Sequence, residues 1–415
     1  MSSATDTDRF IGREREMADL SAALDRAFEG RGGLALLVGE PGIGKTRLTQ
    51  ELTAKAGDRG ALVAWGACYE DGSAPPYWPW SQAIRSLLAE PSDAILTALD
   101  TRAAVIAEIV PEIKVMMPDL ESPPEVDPGQ ARFRLFDAMA SFLSGASASQ
   151  PMVVVLDDLH WADRSTLDLL EFVAREVSST HMLLVGGYRD MELSRRHPLS
   201  ESLATLARVQ GFQRIPLRGL ESTDVGRLVE AVGGIAPSQE LAEEIQARTE
   251  GNPFFVGEVT RDLARDAAER GGNFDAVTFR IPEGVREAIG IRLNRLSEEC
   301  NEVLRTGAVI GREFGFQLLG ALNQDISDDA LLDLVEEAIS VGTIRELPDS
   351  VDRYEFTHAL IQQTLADELS TTRRVRLHAR IAERWRFCTE TMPNLTQANL
   401  RTTSPKPRRC SVPKK

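Results

Sequence analysis

The chain has 415 residues, a formal net charge of −16, 42% hydrophobic and 27% charged residues. This is globular composition, too apolar for a disordered chain and long enough for about three domains. Its apolar strings, such as Leu34 to Val38 and Met152 to Leu156, fall far short of the roughly 18 residues that span a bilayer. The polar N-terminus has no signal-peptide core, and the scattered Cys68, Cys300, Cys388 and Cys410 form no CxxC pair. A cytoplasmic protein without a disulfide or zinc framework is expected. The stretch from Arg386 to Lys415 holds seven basic residues and one acid, so the preceding body is more acidic than the whole. An acidic body repels nucleic acid and argues against direct DNA binding by it.

In chain order, apolar spacing predicts an amphipathic helix over 13–29, a strand over 34–38 and a helix from Thr46. A strand over 61–65 follows. Residues 71–130 are punctuated by prolines and read as an insertion beside the core sheet, with short helices at 80–90 and 93–109 and a loop near 118–129. Then come a helix over 130–144, strand 152–156, helix 165–177, strand 182–186, helix 199–209 and strand 213–217. Strands separated by helices predict a parallel sheet with helices on both faces. From Glu221 the pattern is helical: 222–232, 238–248 and 253–269, before a break at Gly271-Gly272-Asn273. Helices at 283–297, 298–309, 314–321 and 328–340 precede a strand–turn–strand from Thr343 to Phe356. Helices at 358–369 and 372–386 close a winged-helix pattern. The periodicity then stops, and Thr389 to Lys415 is expected to be disordered and to be most often a solvated tail.

The strongest chemical signal is Gly39-Glu40-Pro41-Gly42-Ile43-Gly44-Lys45-Thr46, a GxxxxGK[ST] run between a strand and a helix. Its glycines let backbone N–H groups curl round phosphates, and the helix N-terminus adds a favourable dipole. Lys45 is placed to reach the β- and γ-phosphates, and the Thr46 hydroxyl to ligate Mg²⁺. The partner is an apolar strand running into Asp157-Asp158. Asp157 suits magnesium, directly or through water, and Asp158 suits orientation or deprotonation of an attacking water. The second acid favours hydrolysis over mere binding.

These runs, with Phe10-Ile11-Gly12-Arg13-Glu14, Leu156-Asp157-Asp158-Leu159-His160-Trp161-Ala162-Asp163, Leu183 to Asp190 and Gly251-Asn252-Pro253-Phe254-Phe255, resemble the STAND-type P-loop ATPases of the AAA+ superfamily. More narrowly, they resemble the origin-recognition-like AAA ATPase modules of large LuxR-type regulators and of proteins related to soluble adenylyl cyclases. The resemblance covers roughly residues 9–385. It implies an α/β P-loop NTPase fold followed by a helical lid and a winged-helix domain. The implied boundaries are 1–33 for an adenine-side segment, 34–219 for the ATPase core, 220–273 for the lid, 281–386 for the winged helix and 387–415 for the basic tail.

The same resemblance implies ATP or ADP with Mg²⁺ as ligands, bound by Ile11, Gly12, Arg13, Gly39 to Arg47, Pro253 and His358. Here Thr46 and Asp157 hold the metal, and Lys45, Asp158 and Arg189 act in catalysis. Arg189 resembles a sensor arginine facing the γ-phosphate, although a surface arginine paired with Asp190 is the alternative. His358 stands where related switches place a histidine touching the β-phosphate of ADP, yet a lone histidine after a strand is more often structural. His160 is a candidate assistant for the catalytic water and Trp161 a packing residue.

The implied activity is a slow ATPase that works as a regulatory switch, with self-association or protein partners and no membrane partner. A DNA-binding regulator is the competing reading, against which helix 314–321 carries no Lys or Arg. A cyclase-linked protein is the third, and no cyclase domain is expected in the short segment ahead of Phe10. Relatives continue into helical-repeat sensors, which leaves the input signal undefined.

Overall fold

A computed structural model describes residues 10–70, 74–89, 91–190, 197–269, 281–347 and 350–391. The chain divides into two compact units, Met1–Val285 and Arg286–Lys415.

The first unit opens with α1 (Glu14–Phe28), β1 (Gly33–Val38), α2 (Lys45–Asp58) and β2 (Leu62–Ala67). Next come α3 (Trp78–Ala89), α4 (Asp93–Asp100), α5 (Ala103–Ile106), α6 (Glu112–Met116) and α7 (Pro128–Ser149). The expected 93–109 helix is therefore two helices, interrupted at Thr101 and Arg102. The expected 130–144 helix is longer at both ends. Asp127 caps it by accepting from Gly129 and Gln130 N–H, and Pro128 supplies a ready-made first-turn φ. Then follow β3 (Met152–Asp157), α8 (Arg164–Glu176), β4 (Met182–Tyr188), α9 (Pro198–Leu206) and β5 (Phe212–Pro216). Strand β4 runs two residues past its expected end because Gly187 and Tyr188 stay paired with Leu37 and Val38 of β1.

These strands form one parallel sheet in the order β2-β3-β4-β1-β5. Side chains alternate between its faces, as strand geometry requires. Leu34, Leu36 and Val38 enter one core with Val154, Leu156 and Leu184, whereas Ala35 and Leu37 enter the other with Val153, Val155, Leu183 and Val185. Helices α1 and α2 cover the second face through Leu20, Leu24, Leu48 and Leu52.

The proline-punctuated region packs into the first core. Trp80, Ile84, Ile95, Leu99, Ile106 and Ile113 are all buried there against Met139 and Phe142 of α7. Helix α3 also closes the edge of the sheet. Gln82 Oε1 accepts from Ala67 N–H at 2.9 Å and Ser86 Oγ from Trp65 N–H at 3.3 Å.

A helical segment completes this unit: α10 (Ser222–Gly233), α11 (Gln239–Thr249) and α12 (Pro253–Glu269). They share a core of Leu220, Val225, Val229, Ile245, Val256, Val259 and Leu263. The expected break at 271–273 lies outside the described residues.

The unit boundary falls within α13 (Glu283–Leu293), which ends four residues before its expected limit. Beyond it lie α14 (Glu298–Ile310), β6 (Glu313–Gly315), α15 (Phe316–Leu322), α16 (Asp328–Ser340), β7 (Ile344–Glu346), β8 (Arg353–Phe356), α17 (Ala359–Glu368) and α18 (Thr371–Thr391). The expected helix over 314–321 begins instead as strand β6, which pairs antiparallel with β8 opposite β7. Helix α16 is thus the one that directly precedes the β7–β8 hairpin. Helix α18 extends past 386, and the expected disordered tail lies outside the described residues. No helix among the described residues is long and apolar enough to cross a membrane.

Candidate functional site

The order of the sheet creates the site. Strand β4 separates β1 from β3, so the loop after β1 and the carboxylates after β3 start two strand spacings apart, about 10 Å. The loop from Gly39 to Gly44 bends back across β4 and closes this gap. Thr46, in the first turn of α2, donates from its hydroxyl to Asp157 Oδ2 at 2.8 Å. Asp157 is buried at the tip of β3 and also accepts from Asp158 N–H at 3.0 Å.

The place of the Asp157 carboxylate depends on a residue without a side chain. A Cβ on Gly187 would lie 2.4 Å from Asp157 Oδ1, closer than any real contact, so only glycine leaves that carboxylate its place.

Five consecutive carbonyls of the loop are each engaged by a donor. Lys45 Nζ donates to Gly39 O at 2.8 Å and Glu40 O at 2.9 Å. Asn252 Nδ2 donates to Pro41 O at 3.0 Å, Phe254 N–H to Gly42 O at 3.3 Å and Arg13 Nη2 to Ile43 O at 3.0 Å. The start of α2 has Gly44 at its N-cap, no side-chain cap and no acid in its first turn, so its positive end is left for an anion. A hydroxyl beside a buried carboxylate is the hard oxygen donor pair that Mg²⁺ takes alongside phosphate and water. Among the described residues no group of three or more His, Cys, Asp and Glu is placed to cage a metal. An ion at Thr46 and Asp157 would therefore draw its remaining ligands from nucleotide and solvent.

Asp158 differs from its neighbour. It is partly exposed and adopts the left-handed conformation, φ 55° and ψ 42°, which turns the chain from β3 into a short 3₁₀ turn over Leu159–Trp161. Aspartate tolerates this conformation better than most residues. His160 is buried below, its Nδ1 3.9 Å from Asp158 Oδ1 and its ring 4.4 Å from that of Trp161. Arg189, one residue beyond β4, lays its guanidinium over the Trp161 ring at 4.7 Å. The sequence had assigned Trp161 to packing; here it also carries Arg189.

Cys68 lies beside the acids, its N–H donating to Asp157 O at 3.0 Å. Burial pushes its thiol pKa up, and the carboxylates of Asp158, Asp163 and Asp157 push it further.

Of the other expected site residues, Arg13 is buried, paired with Glu16 at 3.1 Å and braced against Ile43 O, while Ile11 and Gly12 are half-buried just ahead of α1. Arg227 of α10 bridges Glu14 and Asp224 at 3.2 and 3.0 Å, tying the start of α1 to the helical segment. Arg47 pairs with Glu51 at 2.7 Å on the exposed side of α2. Pro253 opens α12 beside Asn252. His358 belongs to the second unit, buried at the N-cap of α17.

Three contributors had no assigned role in the sequence: Gly187, Asn252 and His197. His197 Nδ1 accepts from Leu199 N–H at 3.2 Å, which leaves the proton on Nε2 to donate to His160 O at 2.9 Å. It thereby pins the turn after the two acids. A glycine pair inside an apolar strand was a readable signal for Gly187; His197 offered none.

Residues 9–185 match the family described as AAA ATPase domain. Over 392 residues the chain is 24% identical to an uncharacterized protein of Rhizobium meliloti (strain 1021), an alignment covering 89% of this chain and 36% of that protein. The chain thus spans about a third of the length of that curated relative. Among solved structures it is similar to the Walker-type ATPase of Pyrococcus abyssi, at 15% identity and TM-score 0.47, covering 86% of this chain and 96% of that one. It is also similar to a STAND protein with a tetratricopeptide-repeat sensor from Pyrococcus horikoshii, at 13% identity and TM-score 0.38, covering 95% and 48%. A third similar structure is the ORC1 protein of Aeropyrum pernix in complex with DNA, at 16% identity and TM-score 0.38, covering 90% and 96%.

Proposed function

We propose that the chain binds ATP with Mg²⁺ and hydrolyses it slowly, and that the bound nucleotide sets the state of a STAND-like regulatory switch. The observation that carries this reading is the 2.8 Å hydrogen bond from Thr46 to Asp157, which joins the phosphate loop to the acid pair across β4. A triphosphate entering the loop meets inward N–H groups, the start of α2 and Lys45. The Nζ of Lys45 exchanges the Gly39 and Glu40 carbonyls for phosphate oxygens. A bound metal would supply charge neutralisation to the phosphates. Thr46 and Asp157 would hold it. Asp158, at the open side of the pair, orients the attacking water, and Arg189, steadied on Trp161, faces the charge that develops on the γ-phosphate. In this reading Pro253 contacts the nucleotide, so that its loss shifts the balance between closed and open states.

Lys45→Ala is expected to abolish ATP binding in calorimetry. Asp158→Asn is expected to keep binding and lose at least about 10²-fold in phosphate release, the scale of a lost catalytic group. Wild-type hydrolysis in both variants would refute the reading.

A further inference from the structure

The phosphate loop is shaped from outside as well as by its own glycines. Of its five engaged carbonyls, Pro41 O and Gly42 O are held by the helical segment, through Asn252 and Phe254. A carbonyl fixed outward turns the peptide plane, and so turns the next N–H inward to where a phosphate oxygen sits.

Asn252 is well built for this work. It is 1% exposed. Its Oδ1 accepts from Phe254 N–H at 3.2 Å, which caps the start of α12, and its Nδ2 is thereby directed at Pro41 O. Its own N–H donates to Thr249 O at 3.0 Å, and its carbonyl accepts from Val256 N–H at 2.9 Å. The segment leading to it is fixed by two left-handed residues, Glu250 and Gly251, and by Leu220 N–H donating to Gly251 O at 2.7 Å. The fit extends to Gly42, where a Cβ would meet Phe254 Cβ at 2.8 Å and Asn252 Oδ1 at 3.0 Å. Both amide ends of Asn252 are thus used. No other side chain of its size offers a donor and an acceptor at these two places.

We propose that Asn252 is a positioning residue: by holding Pro41 O it presets the phosphate loop for triphosphate, so that the helical segment sets nucleotide affinity without touching the reacting atoms. The proposal rests on the ATP-binding reading, but part of its test does not. Two variants separate the loop contact from the helix cap. Asn252→Ser keeps an oxygen to cap Phe254 N–H and is too short to reach Pro41 O. Asn252→Asp keeps the cap and shape and sets an acceptor against an acceptor.

In the full chain without nucleotide, hydrogen exchange of the loop amides after Pro41 is expected to quicken in both variants while each still unfolds in one cooperative melting transition. With ATP, calorimetry is expected to show affinity falling about tenfold, the scale of one buried hydrogen bond. In steady state KM rises and kcat at saturating ATP stays within about twofold, since a preset loop acts before chemistry. Unchanged loop exchange together with wild-type affinity overturns the proposal. So does a fall in affinity matched by a collapse of the melting transition, which assigns Asn252 to folding of α12. Failure of the ATP reading is separate, because then the wild type itself binds no ATP.

Discussion

At the scale of single residues, the site depends on contacts that only a folded sheet brings together. Gly187→Ala tests this directly. The new methyl group displaces the Asp157 carboxylate from the Thr46 hydroxyl. Hydrolysis is expected to fall about 10²-fold, the cost of an ångström-scale misplacement, with the far-ultraviolet circular dichroism spectrum unchanged. Full activity in this variant would show that Asp157 has another acceptable position. The left-handed backbone of Asp158 also makes Asp158→Asn a clean probe, because asparagine is likewise at ease there. Gly39 to Thr46 and the two acids were legible in the sequence because their spacing is local and their residue types are restricted by phosphate and metal chemistry. Asn252 stood in a recognised run, yet its hydrogen bond to Pro41 joins positions 211 residues apart. His197 is 37 residues from the carbonyl it holds. Neither link has a period or a spacing to read.

Among the elements, the alternation of strands and helices was readable because each strand is a short apolar run closed by turn residues. One misreading has a physical cause. Strand β6 has only three residues, too few to show a period of two, and its pairing with β8 comes from 40 residues away at Tyr354 and Phe314. The prolines of residues 71–130 do not exclude helix: Pro79 lies in the first turn of α3, where its missing N–H costs nothing. Trp80 beside it is fully buried and donates from Nε1 to Thr166 O at 3.2 Å, joining α3 to α8. Trp80→Ala is expected to cost about 3–5 kcal/mol in a urea titration, the usual range for a buried aromatic. A cost under about 1 kcal/mol would contradict the close packing of Trp80.

For the whole molecule, charge speaks to the competing DNA-binding reading. The helix that precedes the hairpin is α16, not the segment at 314–321 that the sequence had offered, and it is acidic throughout, with Asp328, Asp329, Asp333, Glu336 and Glu337. Helix α15 carries no Lys or Arg either. Such faces repel phosphates rather than neutralise them. In gel-shift titrations at about 0.15 M salt the full chain is expected to form no sequence-selective complex with duplex DNA; a salt-stable one would contradict this.

The closed border of the sheet at β2 has a consequence for how copies of the chain can meet. Gln82 and Ser86 already occupy the amide hydrogens of Ala67 and Trp65, and α3 lies along that flank. A neighbouring chain therefore finds no free ladder there to extend. Ribbon-like growth is barred on this side, and any ring or filament that forms here has to be joined through side-chain surfaces.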